Sequence, residues 1–150
     1  MSDNHQQHQG ADSPFFALQK IYVKNSSFES PNSASVFRSE WKPTVSMDVN
    51  TTFEQIEEGL YEVVLSVSVT AKNQDQLAFV AEVDQAAMFM ISGFPSPQQA
   101  EALGSACPAV MFPYIRETID QLMVKGGFPP LMMAPVNFDA LYAEQNRKSA

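Results

Sequence analysis

Cysteine is all but missing from this chain of 150 residues: Cys107 stands alone, which excludes an intramolecular disulfide and matches the usage of a reducing compartment. Histidine is nearly as scarce. His5 and His8 are the only two, both in the polar opening MSDNHQQHQGADSP, where a mobile segment without further ligands catches a metal loosely at best. Residues 1–14 therefore read as a disordered polar tail. The tail holds no Lys, no Arg and no apolar run, so it is expected to be neither a signal peptide nor a transit peptide. Nowhere do about 18 apolar residues follow one another, which excludes direct insertion in a membrane as a helix. The expected location is the cytoplasm.

Positive charge is the next shortage. Nine Lys and Arg stand against 17 Asp and Glu, for a net charge of -8 and a pI near 4.6. Basic residues scattered singly cannot neutralise a track of phosphates, so nucleic acid and anionic membranes are poor partners and a basic partner is a good one. Signatures of chemistry are missing too: there is no GxxxxGK phosphate loop, no GxGxxG after a strand, no HExxH and no cysteine cluster. Cys107 has no histidine to activate it. The densest acidic run, Glu54, Glu57, Glu58 and Glu62, reads as a solvated face on a loop entering a strand rather than as an acid/base pair. Neither catalysis, nor a cofactor, nor a metal site is expected.

What the chain has in quantity is hydrocarbon: 45% hydrophobic residues against 17% charged, with 11 Phe and 10 Pro. The length fits one domain with a real core, and the apolar surplus hints at surface covered by a partner subunit or ligand. Strand signals come first and helix signals last, an α+β order. Residues 16–28 and 36–49 carry alternating runs, with Pro43 marking an edge position or a bulge in the second. Residues 60–71 give the clearest strand, Tyr61, Val63, Leu65, Val67, Val69 and Ala71 facing one way. Residues 77–91 repeat the period of two. A hairpin about KNQDQ places opposite each other positions summing to about 148, so that Ser66 meets Glu82, Val64 meets Asp84 and Leu65 meets Val83. One face is then apolar. The other carries Glu62, Glu82 and Asp84 around Val64 and Val80, either an ordinary wet face or a docking surface for a basic and apolar segment.

Ser96-Pro97-Gln98-Gln99 opens a short connector helix with Ser96 as N-cap, and Gly104 is expected to close it. After Cys107-Pro108 a longer helix follows, with Met111, Ile115, Thr118, Ile119, Leu122 and Met123 on one face, Pro113 as a kink and Gly126 at its end. That stripe packs on its own sheet, against the same helix of another subunit, or both. GGFPPLMMAPVNFDALY, residues 126–142, is too broken by proline for one regular element: Leu131, Met132 and Met133 sit on an extended loop, and Asn137 caps a short helix whose Phe138, Leu141 and Tyr142 form a stripe. Loop and helix either close a core or offer a Met-rich wall to an adaptable hydrophobic partner.

These motifs also carry a resemblance. KIYVK at 20–24, FESP at 28–31, Trp41 with Pro43, YEVVL at 61–65, CPAVMFPYIRE at 107–117 and the 126–142 segment occur in the order that marks the SecB family, bacterial cytoplasmic chaperones of protein export. The resemblance spans about residues 16–142. It implies a four-stranded antiparallel sheet with crossed connections, one long helix plus a short connector helix and a short C-terminal helix. Residues 15–143 would form one domain and 144–150 a flexible tail. It further implies a homotetramer built as a dimer of dimers, and an ATP-independent holdase that keeps preproteins unfolded and delivers them to the export ATPase SecA. Groove candidates are Phe28, Phe37, Trp41, Leu131, Met132, Phe138, Leu141 and Tyr142, each of which can equally be plain core. The family's acidic docking face maps to Glu29, Val80 and Glu82, with Asn25 where the family often has an acid; the tail is shorter and contains Arg147 and Lys148. Any zinc would be the ATPase's. Ala81, Val83, Gln85, Ile115, Ile119 and Leu122 are the expected oligomer interface. Family members also accompany toxin–antitoxin systems, so clients stay open. Two other classes are a carrier of a small apolar ligand in an aromatic pocket and an enzyme using Glu57 or Glu58.

Overall fold

The computed structural model describes residues 13–148, so the reading of His5 and His8 and of most of the N-terminal tail lies outside the described residues. Four long strands, β1 (Phe15–Glu29), β2 (Pro43–Glu57), β3 (Leu60–Asn73) and β4 (Gln76–Ser92), pair antiparallel in the order β1-β4-β3-β2. The chain leaves β1 at one edge and must cross to the other edge before β2 begins. That crossover holds a single 3-10 turn, Val36–Arg38, with Val36 buried. It is tied to the β3–β4 end: Ser30 Oγ donates to the Ala78 carbonyl at 2.8 Å, Asn32 Nδ2 to the Leu77 carbonyl at 3.1 Å, and buried Asn73 bonds both the Lys42 N–H and the Glu40 carbonyl.

Sequence alternation carries straight into burial. In β3 the odd residues from Tyr61 to Asn73 are buried and the even ones are half-buried or exposed. Partner positions in the β3–β4 hairpin sum to 150 instead of 148: Ser66 faces Asp84, Leu65 faces Gln85 and Val64 faces Ala86. The polar stretch is mostly strand, because Gln74 and Asp75 alone form the turn, both with positive φ (52 and 64), the conformation a two-residue hairpin demands. A bulge at Ala78 then moves the register by one. A displacement of two leaves every side chain on its face, so the apolar face survives the correction.

Four further expectations are corrected. Residues 36–38 are not strand; β2 starts at Pro43, which supplies no ladder donor and sits at the start of an edge strand. Glu54 and Glu57 belong to β2 rather than to a loop, with Gly59 (φ 76) turning the chain into β3. Gly104 does not end a helix: α1 (Ser96–Glu101), a π turn at Ala102–Ala106 and α2 (Cys107–Lys125) run on as one joined helix. Pro108 brings no N–H to the Gly104 carbonyl, and the turn before it widens so that the Cys107 N–H bonds Ala102, five residues back. Ser96 lies inside the helix, whose first carbonyl partner is Pro95, and gives no side-chain cap.

In α2 the residues Cys107, Met111, Ile115, Ile119 and Met123 follow one another at i, i+4 and are all buried against β3 and β4. Burial pushes the Cys107 thiol up to about 12. Ala81, Val83, Gln85, Ile115 and Ile119, expected between subunits, lie in this subunit's own core, and only Leu122 of that set stays half-buried. The physical reason is geometric: one helix laid over two central strands fills their apolar face with its i, i+4 row, and Thr118 Oγ1 reaches Gln85 Oε1 at 3.3 Å. Gly126 remains helical (φ -79), and the left-handed residue that follows α2 is Gly127 (φ 90). Asn137 does cap α3 (Phe138–Lys148), accepting the Ala140 N–H at 3.0 Å. The helix runs to Lys148, past the boundary drawn at residue 143.

Candidate functional site

Phe128 organises a packed aromatic cluster with an exposed rim. Its ring is 5 % exposed and lies 5.0 Å from Phe79, 5.1 Å from Phe37, 5.3 Å from Trp41 and 6.3 Å from Phe28, while Phe28 stacks on Phe79 at 5.8 Å. The glycine pair before it makes the approach possible: a Cβ on Gly126 would stand 2.3 Å from Phe28 Cζ, and one on Gly127 3.0 Å from Phe37 Cζ. Phe28, Phe37 and Trp41, from β1 and the crossover, thus meet around Phe128, which local pattern does not mark as a groove candidate. A ring inside GGFPP, where two glycines leave room for side chains from elsewhere, was the available signal.

A small hollow of about 110 Å³ opens at the far end of the segment. Val49, Thr51 and Phe53 of β2, Gly104 of the π turn, and Phe138, Leu141, Tyr142 and Gln145 of α3 line it. Val49, Thr51 and Phe53 pair with Val67, Leu65 and Val63, so they point to the helix side of the sheet, as Phe79 does. Tyr142 fills the space over Gly104, where a Cβ would come within 2.6 Å of its ring. Ser105 hydroxyl donates to Asp139, holding α3 in place. Between Phe128 and α3, residues 129–137 form no regular structure. Of the eight groove candidates, Phe138 is buried; Phe28, Trp41, Leu131 and Tyr142 are half-buried; Phe37, Met132 and Leu141 are exposed.

On the opposite face the strands align polar residues in rungs. Glu29 faces Val80 and Val80 faces Thr70; Ser27, Glu82, Ser68 and Asp48 form the next rung; Asn25, Asp84, Ser66 and Asn50 the third. Asn25, Glu29, Val80 and Glu82 therefore share one face, and the carboxylate facing Asn25 comes from Asp84. Glu62, further along, is not free: Tyr22 donates its hydroxyl to it and Lys24 Nζ reaches it at 2.6 Å. The Lys24 and Tyr22 bonds hold the Glu62 carboxyl below its usual range, while burial and then the Glu62 bond push the Tyr22 hydroxyl up to about 12. This pair staples the edge strand β1 across β4 to β3. Ala86, facing both Tyr22 and Val64, is small enough to let the side chains reach over it.

One face thus carries exposed apolar side chains and a small hollow and the other a carboxylate-rich ladder, surfaces of the kind a binding protein uses. The family described as "Preprotein translocase subunit SecB" matches residues 9–149. A protein-export protein SecB of Hahella chejuensis is 59% identical over 131 residues, 87% of this chain and 82% of that protein, and one of Marinobacter nauticus is 51% identical over 146 residues, 96% and 88%. The chain belongs to the SecB family. A SecB-like chaperone of Mycobacterium tuberculosis, solved in complex with a peptide from an antitoxin, shares the fold with a TM-score of 0.66 at 17% identity, covering 81% of this chain and 90% of that one.

Proposed function

We propose that this chain is an ATP-independent holdase, which keeps preproteins unfolded against its exposed apolar side chains and hands them to the export ATPase SecA. The observation that carries the reading is the exposed apolar rim of the aromatic cluster around Phe128, with Phe37 49% exposed and Met132 79% exposed on the loop leading away. An unfolded chain presents many weak apolar sites. Each large side chain taken from water contributes roughly 1.5–3 kcal/mol, and repeated apolar patches on linked subunits raise the effective affinity without any one contact trapping the client. Groups that change on ATP binding have no part in such a cycle, and the protein acts without being an enzyme.

The ATPase docks on the carboxylate ladder of β1 and β4. Glu29 and Glu82 supply its exposed charge, Val80 its apolar centre, and Asp84 on the neighbouring strand supplies the charge that Asn25 lacks. Four subunits assemble through surfaces still free on the single chain, among them the outer side of α2, where Val110, Tyr114 and Val124 are 38%, 45% and 57% exposed. Among the described residues no helix is long and apolar enough to cross a membrane, and work in the cytoplasm suits a client met before export. The test is light scattering from a denatured secretory precursor diluted with and without the protein, nucleotide absent. Suppression near one tetramer per client is expected. No suppression by a folded tetramer would replace this reading with that of a small-ligand carrier.

A further inference from the structure

Asp is among the weaker helix formers, yet Asp120 stands in the second half of α2, half-buried, beside the segment that follows the helix. Its carboxylate does not stay with its own helix. Oδ1 accepts the backbone N–H of Leu131 at 3.0 Å and that of Met132 at 3.2 Å. These are donors of a segment with no ladder to join, and the two residues before it, Pro129 and Pro130, have no N–H to give. Charge-assisted bonds from backbone N–H to carboxylate are the stronger kind. They fix a conformation the residue does not choose alone: Met132 has φ 53, in the left-handed region that non-glycine residues avoid.

The outcome is an in, out, in order across three neighbouring side chains. Leu131 packs against the core, Met132 is 79% exposed, and Met133 is 7% exposed. Arg116, which lines the same depression with Asp120, Met132 and Met133, places its guanidinium 5.8 Å over the Phe112 ring. We infer that Asp120 is a positioning residue of the client groove: through the amides of Leu131 and Met132 it fixes the segment between Phe128 and α3 and presents the Met132 thioether outward beside the depression that Arg116 and Met133 share with it. This rests on the holdase reading and names the residue that shapes its site.

Full-length protein and its Asp120→Ala and Asp120→Asn variants are compared by amide hydrogen exchange resolved at Leu131 and Met132, and by fluorescence titration of a labelled, reduced and carboxymethylated ribonuclease as unfolded client. Ala removes the acceptor, and exchange at the two amides should quicken by about tenfold or more; Asn retains an oxygen and should restore most of the protection. Client Kd should rise about three- to tenfold in Asp120→Ala and return toward the original in Asp120→Asn, with native mass and melting temperature held. Unchanged exchange in Asp120→Ala, or quickened exchange with unchanged Kd, overturns the inference. If Asp120→Ala does not fold, the unmodified protein decides: solvent-like exchange at both amides refutes the clamp. Failure of the unmodified protein to bind the client would refute the holdase reading and the groove role with it, while the exchange data still report whether the clamp exists.

Discussion

Replacing Phe128 and Phe37 by alanine, one at a time, separates core from groove within a single aromatic cluster. Phe128 is 5% exposed and lies against Phe28, Phe37, Trp41 and Phe79, so its loss leaves a cavity that four rings, anchored on β1, the crossover and β4, cannot all collapse into. Core Phe→Ala changes cost about 3–5 kcal/mol. At about 2–4 °C per kcal/mol for a chain of this size, the melting temperature should fall by roughly 6–20 °C. Phe37 is 49% exposed and keeps only part of its ring from water, so Phe37→Ala should cost about 1 kcal/mol or less. The order reverses for client: the exposed ring at the rim is the one an apolar segment can cover, and Phe37→Ala should weaken binding about five- to tenfold, worth about 1–1.4 kcal/mol. Urea unfolding gives the first pair of numbers and titration of a labelled unfolded polypeptide the second. A Phe128→Ala protein within about 1 kcal/mol of the original, or a Phe37→Ala protein with undiminished client affinity, would refute the division into hub and rim.

Ile119→Asp places a carboxylate in the 0% exposed row between α2 and β4, and the expected result is loss of folded protein rather than folded dimers; native mass spectrometry showing stable, folded smaller species would contradict it. Gly104→Ala pushes a methyl into the Tyr142 ring, 2.6 Å away, so α3 should detach and amide exchange along Phe138–Lys148 should rise while the sheet stays protected. Glu62 is held below its ordinary value near 4.5, so its bonds to Lys24 and Tyr22 add stability that is complete above that value and is lost as pH falls through the lower folded value. Glu62→Gln should therefore flatten the acid side of the stability profile, and an unaltered profile would mean the staple contributes nothing. Cys107, with its thiol raised to about 12 by burial, should resist alkylation at pH 8 until the protein unfolds.

Much of the site was legible because its parts are local. Asn137 caps its helix through its own side chain, the period of two marks the buried face of β3 wherever the strand lies, and Leu131, Met132 and Met133 had to be loop once three prolines surrounded them. Phe28, Phe37 and Trp41 are candidates for groove or core from the sequence alone, and the structure leaves Phe28 and Trp41 half-buried and Phe37 exposed. Their common neighbour Phe128 is not among the candidates, since rings from residues 28, 37, 41, 79 and 128 meet only after the crossover and α2 have been laid on the sheet. Gly104 shows the opposite failure. A glycine after two helical turns reads locally as a stop, whereas here it is required by Tyr142, 38 positions away.

By itself the amino-acid order determined the class, α+β with an amphipathic long helix, the parity of each strand face, the acidic character of the wet side and the family signature in residues 107–117 and 126–142, since these depend on residues a few positions apart. The tertiary structure alone decided the β3–β4 register, through a two-residue turn and one bulge; the fate of Val83 and Ile119, which one helix can bury without any neighbour; and the meeting of Asp84 with Asn25 and of Asp120 with Leu131 and Met132. Each of those is a contact between segments that pattern cannot join, because a side chain's neighbours across a sheet or over a helix are set by how the whole chain closes.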